Sequence, residues 1–320
     1  MDVSVRPLLA LHDLASVTMH DRVHLGPRMS GIEEEPCNDW LHVALSELRR
    51  LKQDRGENIA RAAFIGSANG VDVIAALRLF RIGSLVVTDI VPEIIPDIER
   101  NIRDNTVPED LPEELCFVVG RDCEPVPWEC DLIYANLPLV MASDQELQSD
   151  LATTTLTDSS AYLKLAYAED DPLLKWSLLP QLGFLLSAKE KLAPGGCVIT
   201  LIGGRIPEDA IAECFQRAGM AFERGTVAVM RQSDEEYVEQ YALYEAQFTH
   251  EAFLFYDEAA AAGILRECGY AYPSIVDVSA EEMRLLLAPA ALTAEQARQR
   301  VSDGHHVAHL SYGFRAVPKA

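Results

Sequence analysis

Ala62-Ala-Phe-Ile-Gly-Ser-Ala-Asn-Gly70 is an apolar run that enters a glycine turn and leads into an apolar stretch at helical spacing. The following apolar run, 84–89, closes on an acid, Asp89. Gly66 and Gly70 remove a Cβ where a ligand must lie against the turn, and Asp89 can accept hydrogen bonds from two ribose hydroxyls. Strand, glycine turn, helix, strand and acid together point to an α/β fold that holds an adenosine-type cofactor.

Outward from that turn the chain alternates. Apolar runs bounded by turn residues predict strands at 62–66, 84–89, 115–119 and 131–135, and a strand at 197–202 after Pro194-Gly-Gly. Between them lie predicted helices at 71–80, about 92–104 and 175–192, the second with prolines in its first turn. Strands separated by helices imply a parallel sheet with right-handed crossovers. A strand-like run at 226–231 and a closing strand at 307–317 complete the sheet.

Residues 1–37 read as irregular, broken by Pro7, Pro27 and Pro36. Asn38-Asp-Trp-Leu then offers an N-cap for a helix whose apolar face is Leu41, Leu45, Leu48 and Leu51 and which ends near Gly56. The expected division is an N-terminal cap at 1–57, an α/β core at 58–232, a helical insertion at 233–300 and a closing strand within 301–320. In the insertion Tyr237, Tyr241 and Tyr244 fall at i, i+4 and i+7, a helix-packing pattern, and a helix over 257–268 is ended by Gly269. A second interruption, 141–171, is polar and acidic. It reads equally as a lid beside the ligand crevice or as a solvated excursion with a short helix.

Composition narrows the function. Fifty acids against twenty-seven lysines and arginines give a net charge of -23, which repels phosphate backbones, and no basic stretch with interleaved aromatics offsets it. Nucleic acid is therefore not the expected partner, and the surplus acid is compatible with a cationic substrate. No run of 18 apolar residues occurs, so a soluble, cytoplasmic protein is expected with no membrane partner. Seven scattered cysteines without a C-x-x-C pair fit reduced thiols.

Three motifs fail at the glycine turn. The G-x-G-x-x-G of NAD-binding folds lacks its middle and third glycines, a P-loop lacks Gly-Lys-Ser/Thr, and Ser67 sits one position early for a hydrolase elbow. What remains resembles the class I S-adenosylmethionine-dependent methyltransferases, whose turn reads acid-x-Gly-x-Gly-x-Gly. Here Gly66 and Gly70 match, Ala68 replaces the middle glycine, and Phe64 replaces the acid. Asp89 fits the family's ribose-binding acid, Asp122 the acid near the adenine amino group, and Pro194-Gly-Gly the turn before a core strand. The resemblance spans residues 62–204. It implies a Rossmann-like, seven-stranded, mostly parallel sheet and S-adenosyl-L-methionine as cofactor, with Gly66, Ser67, Ala68 and Gly70 at the methionine part, Asp89 at the ribose, and Ile90 with Asp122 at the adenine.

The fourth predicted strand ends in Ala135-Asn-Leu-Pro-Leu139, similar to the Asn-Pro-Pro-aromatic motif of methyltransferases acting on nitrogen. Asn136 and Pro138 are kept, while Leu137 and Leu139 replace the first proline and the aromatic. In that family the asparagine, close to the cofactor, accepts a hydrogen bond from the target N–H and aligns the nitrogen for in-line transfer. Without the aromatic, a planar glutamine or base loses its stacking partner. Glu33-Glu-Glu35 would suit an amine or guanidinium, and Asn136, Pro138, Tyr162 and the cap are expected to face the acceptor.

The expected activity is methyl transfer to a small-molecule nitrogen, an amine or guanidino metabolite such as free arginine. The alternatives are an O- or C-methyltransferase of specialised metabolism and a methyltransferase-like protein that binds without turnover. No metal is expected: on a strand His305 and His309 would lie roughly 13 Å apart at about 3.3 Å per residue. His20 and His24 stand as candidate general bases. The 233–300 segment could form a homodimer surface or cover the pocket.

Overall fold

A computed structural model describes residues 1–138, 140–142, 156–158, 160–232, 235–248 and 252–319. The strands are β1 (Asp2–Ser4), β2 (Arg22–His24), β3 (Asn58–Ile65), β4 (Arg81–Asp89), β5 (Glu114–Val119), β6 (Cys130–Ala135), β7 (Val140–Ala142), β8 (Leu156–Asp158), β9 (Leu192–Gly203), β10 (Met220–Arg231), β11 (Phe255–Asp257), β12 (Ser274–Val276), β13 (Ala291–Leu292) and β14 (Val307–Pro318). The helices are α1 (Arg6–Leu11), α2 (Trp40–Arg55), α3 (Val71–Leu79), α4 (Ile95–Asp104), α5 (Pro172–Lys175), α6 (Leu179–Lys191), α7 (Glu208–Arg217), α8 (Glu235–Phe248), α9 (Glu258–Glu267), α10 (Ala280–Leu287) and α11 (Ala294–Ser302).

The main sheet runs β5-β4-β3-β6-β9-β14-β10-β12, with β11 beside β14 and β13 beside β11. Strands β3, β4, β5, β6 and β9 are mutually parallel, and β14 is inserted antiparallel between β9 and β10. Strand β3 shows why such a sheet forms. Ala63 and Ile65 point into one apolar layer, with Leu179, Leu182, Ile211 and Phe215 of α6 and α7. Ala62 and Phe64 point into the other, with Leu41, Leu45, Val73 and Ile98 of α2, α3 and α4. A strand buried on both faces needs apolar residues at every position, and that is the pattern that made it legible. Because the order turns in both directions from β3 and β6, the C-terminal strand ends open a crevice there, where such sheets bind ligands.

The seven expected strands are thus present, within a sheet that has ten strands among the described residues. The segment read as wholly helical also contributes β11, β12 and β13, two or three residues each, too short to display a period of two. The start of the chain is not irregular: β1 pairs antiparallel with β2, and α1 lies between them with a proline in its first turn, where the missing N–H costs nothing. The helix expected over 175–192 is broken, with Ser177 at φ 56 between α5 and α6. Pro194-Gly-Gly lies inside β9 rather than before it. Asp39, not Asn38, caps α2, accepting from the Leu41 N–H at 2.9 Å; Asn38 sits in a 3-10 turn and accepts from the Arg231 N–H at 2.7 Å. Within the 141–171 interruption, residues 143–155, including Thr153-Thr-Thr, and 159 lie outside the described residues. All seven cysteines are free thiols, and among the described residues no helix is long and apolar enough to cross a membrane.

Candidate functional site

The turn after β3 is built on left-handed backbone. Gly66 has φ 68 and Gly70 φ 80, and the Ser67 and Gly66 N–H groups both donate to the Thr88 carbonyl. Ala68 also sits at positive φ, 46°, a conformation that an L-residue adopts at a cost of order 1 kcal/mol. Asp89 holds it there: Oδ2 accepts from the Ala68 N–H at 3.2 Å and Oδ1 from the Val91 N–H at 3.0 Å. Burial raises the Asp89 pKa, and those backbone donors oppose the rise. Each carboxylate oxygen keeps a second lone pair for a ligand.

Gly66 has a second reason to lack a side chain. A Cβ there would come within 3.0 Å of Leu137 Cδ2, so the loop Asn136-Leu-Pro138 lies directly against the glycine turn. Asn69 then ties the cap to it. Its Nδ2 donates to the Ser30 carbonyl at 3.2 Å, while its Oδ1 accepts from the Val71 N–H in the first turn of α3.

These parts enclose a cavity of about 690 Å³. At one end, over β3, β4 and β5, lie Gly66, Ala68, Asp89, Ile90 and Asp122. Asn136, Leu137 and Pro138 at the end of β6 occupy the middle. At the far end, over β9, β14 and β10, are Arg205, Arg231, Gln232, His309 and Ser311, with Tyr237 and Tyr241 of α8. Glu33, Glu34 and Trp40 line it from the cap. Of the residues expected from sequence, ten therefore meet in one cavity: Gly66, Ala68, Asp89, Ile90, Asp122, Asn136, Glu33, Glu34, Pro138 and Tyr162. Ser67, Gly70 and Glu35 do not line it. Ser67 is buried with an unpartnered hydroxyl, Gly70 backs onto Ile102, and Glu35 is exposed beside a 3-10 turn. Tyr162 stands at the Asp122 end, not beside the far-end residues.

The far end carries no sequence signal: Arg205, Arg231 and Gln232 belong to no motif, and His309 reads from sequence only as a candidate metal ligand. His309 Nδ1 lies 2.9 Å from the Leu310 carbonyl, which can only accept, so Nδ1 carries the hydrogen and Nε2 the lone pair. Burial, then the Arg205 charge, hold its pKa well below the usual histidine value, so the ring is neutral. Tyr241 and Tyr244 are buried in the α8 packing as expected, and Tyr241 meets Phe253 edge-on at 4.8 Å; Tyr237 and Tyr241 also face the cavity. His305 precedes β14 and is exposed, as is His306, and among the described residues no three potential ligands converge on a metal position. His20 and His24 lie outside the cavity, and His24 Nδ1 is 3.0 Å from Asp2 Oδ1, so neither is placed as a base for this site.

No family model matches the chain, and no curated protein matches it. Solved structures do align with it. A ribosomal protein L11 methylase from Lactobacillus delbrueckii subsp. bulgaricus is 15% identical over 66% of this chain and 83% of its own, at a TM-score of 0.41. A precorrin-6y methyltransferase from Geobacter metallireducens is 10% identical over 90% and 93%, at 0.40. The N-methyltransferase NodS from Bradyrhizobium japonicum is 13% identical over 61% and 89%, at 0.38. The sheet itself is informative: β3, β4, β5, β6 and β9 are parallel with the glycine turn and Asp89 at their C-terminal ends, and β14 is reversed between β9 and β10. The fold is a Rossmann-like α/β fold with a mainly parallel sheet.

Phe64 stands where the expected turn pattern has an acid. It is fully buried against Tyr134, ring centroids 5.0 Å apart, and takes no part in the cavity. The donor set otherwise suits an adenosylated amino acid: a close-approach glycine, a carboxylate at the end of the second core strand, and a second carboxylate after the third. The cavity volume lies in the ordinary range for ligands of that size.

Proposed function

We propose that the protein is an S-adenosylmethionine-dependent methyltransferase acting on a small acceptor nitrogen, an amine or guanidino group of a metabolite such as free arginine. The observation that carries this reading is the position of Asn136, midway in one cavity between the Gly66–Asp89–Asp122 end and the Arg205–His309 end. In this reading Gly66 and Ala68 lie against the methionine part, Asp89 accepts from the ribose, and Ile90 with Asp122 holds the adenine. The bound cofactor supplies an electrophilic methyl on a sulfonium. This chain's residues do the rest, chiefly orientation and exclusion of water. Asn136 Oδ1 accepts from the acceptor N–H and fixes the direction of its lone pair. Glu33 and Glu34 supply negative charge from the cap that draws in the cationic form of the acceptor, and a carboxylate there would take the proton that the nitrogen must lose to free its lone pair for the methyl.

His309 favours a second reading, transfer to oxygen. His309 lines the far end of the cavity, and its Nε2 lone pair would accept a hydrogen bond from an acceptor hydroxyl.

The first experiment compares S-adenosylhomocysteine with NAD as stabilisers of the purified protein, with Asp89→Ala as control. Stabilisation by S-adenosylhomocysteine alone, lost in Asp89→Ala, is expected. Stabilisation by NAD, or by neither, would overturn the reading. Labelled cofactor with a panel of amines and phenols then separates nitrogen from oxygen.

A further inference from the structure

We infer that Arg205 is an anion-binding residue, and that the acceptor therefore carries a carboxylate as well as its nucleophilic nitrogen. The inference rests on the methyltransferase reading and narrows its substrate class.

Arg205 is only 5% exposed and lines the far end of the cavity. Its guanidinium is faced by the rings of Tyr241 at 5.0 Å, Phe255 at 5.2 Å and Tyr237 at 5.9 Å. Nη2 donates to the neutral Gln232 amide oxygen, and Nε is buried with no partner at all. Among the described residues no carboxylate lies within ion-pair distance of it. Neighbouring Arg231 by contrast has Glu258 at 2.6 Å, and Arg284 has Glu208 at 3.5 Å. His309, also nearby, is neutral and offers no counter-charge.

Acids are not scarce in a chain with fifty of them against twenty-seven lysines and arginines. A buried guanidinium left without a counter-ion is costly, and aromatic faces return only part of that cost. An anion entering the cavity would complete it, since the planar fork presents paired N–H donors matched to a carboxylate. Position decides which anion. Arg205 follows β9, two strands from β3 and so about 10 Å across the sheet from the glycine turn, beyond Asn136. That places it at the acceptor end rather than against the amino-acid part of the cofactor. Glu33 and Glu34 for a cationic nitrogen and Arg205 for a carboxylate together describe a zwitterionic amino acid.

The test uses full-length protein with S-adenosylhomocysteine bound, titrated by calorimetry with matched pairs that differ only in the carboxylate: arginine and agmatine, lysine and cadaverine, histidine and histamine. We expect at least one acid to bind on the order of ten- to a hundredfold more tightly than its decarboxylated partner, with the difference collapsing in Arg205→Gln and partly kept in Arg205→Lys. Unchanged S-adenosylhomocysteine affinity in both variants shows that they fold and that the anion is the acceptor's. Weakened S-adenosylhomocysteine binding by both variants would assign Arg205 to the cofactor's own carboxylate and overturn the inference. So would amines binding as well as acids, or no pair binding while S-adenosylhomocysteine still binds the wild type. Failure of S-adenosylhomocysteine to bind the wild type sinks the enzyme reading itself.

Discussion

The Tyr162 hydroxyl donates to Asp122 Oδ1 across 2.9 Å, joining the segment after β8 to the loop after β5. The tyrosine ring is packed where a Cβ on Gly183 of α6 would come within 2.5 Å of Cε1, and the Arg121 guanidinium sits 5.4 Å from its centroid. Burial raises the Asp122 pKa to about 6, with the Tyr162 hydrogen bond and Arg121 opposing the rise. If the ionised carboxylate accepts from the adenine amino group, cofactor affinity is present above about pH 6 and is lost as the acid protonates below it. Tyr162→Phe removes one of the groups that favour the ionised form, so the loss moves to higher pH. The expected result is a several-fold weaker S-adenosylhomocysteine affinity at pH 6 with a smaller effect at pH 8. An equal effect at both pH values would show that Tyr162 acts only by packing.

A carboxylate also wedges the sheet. Glu47 of α2 enters a slot opened by Gly225 and Gly313, at the irregularity between Arg224 and Thr226 where β10 pairs with β14. A Cβ on Gly313 would lie 2.3 Å from Glu47 Cγ. Gly313→Ala is expected to cost roughly 2 kcal/mol through overpacking. Glu47→Ala should absorb much of that cost, so the double variant is markedly less destabilised than the sum of the singles. Urea unfolding of the four proteins measures the coupling, and strict additivity would refute the slot.

The core strands were legible because parallel strands buried on both faces must be apolar throughout, and α2 because Asp39 caps its start and Gly56 ends it, whereas α6 begins after Leu178 and ends at Leu192 with neither signal. The far end of the cavity was not legible, for a physical reason. Arg205, Gln232 and His309 are separated in sequence by tens of residues, and they meet only because antiparallel β14 brings its beginning to the edge where β9 and β10 finish. No local periodicity encodes such a meeting. The glycine turn and Asp89, by contrast, are one strand–helix–strand unit, and local spacing places them together.

Acid sensitivity should centre on a histidine pair outside the cavity. His42 Nδ1 and His12 Nε2 are 2.8 Å apart, so one nitrogen donates and the other must keep its lone pair. Burial holds both pKa values down, to about 4. Unfolded histidines take up protons near pH 6.5, so the stability these rings contribute is complete above that value and is lost as pH falls toward 4. Buried Asp39 and Asp72, raised to about 6 and about 7, act in the opposite sense, so the wild-type curve alone cannot isolate the pair. The double variant His12→Asn/His42→Asn should lose less melting temperature than the wild type between pH 7 and 5, by roughly a few degrees. Parallel curves would show that the pair does not titrate with unfolding.

Asn136 tests the chemistry most directly. It sits between the two ends of the cavity, on a loop pressed against Gly66 by Leu137. An oxygen that only orients the acceptor contributes little to holding the cofactor, because the ribose and adenine contacts lie over other strands. Asn136→Ala is therefore expected to leave S-adenosylhomocysteine affinity within a few-fold of wild type while lowering kcat on the order of a hundredfold. Asn136→Asp keeps the acceptor oxygens, adds a charge, and should recover part of the rate for an amine while remaining poor for a phenol. A loss confined to cofactor affinity, with kcat unchanged, would move Asn136 from the acceptor to the cofactor and remove the main support for transfer to nitrogen.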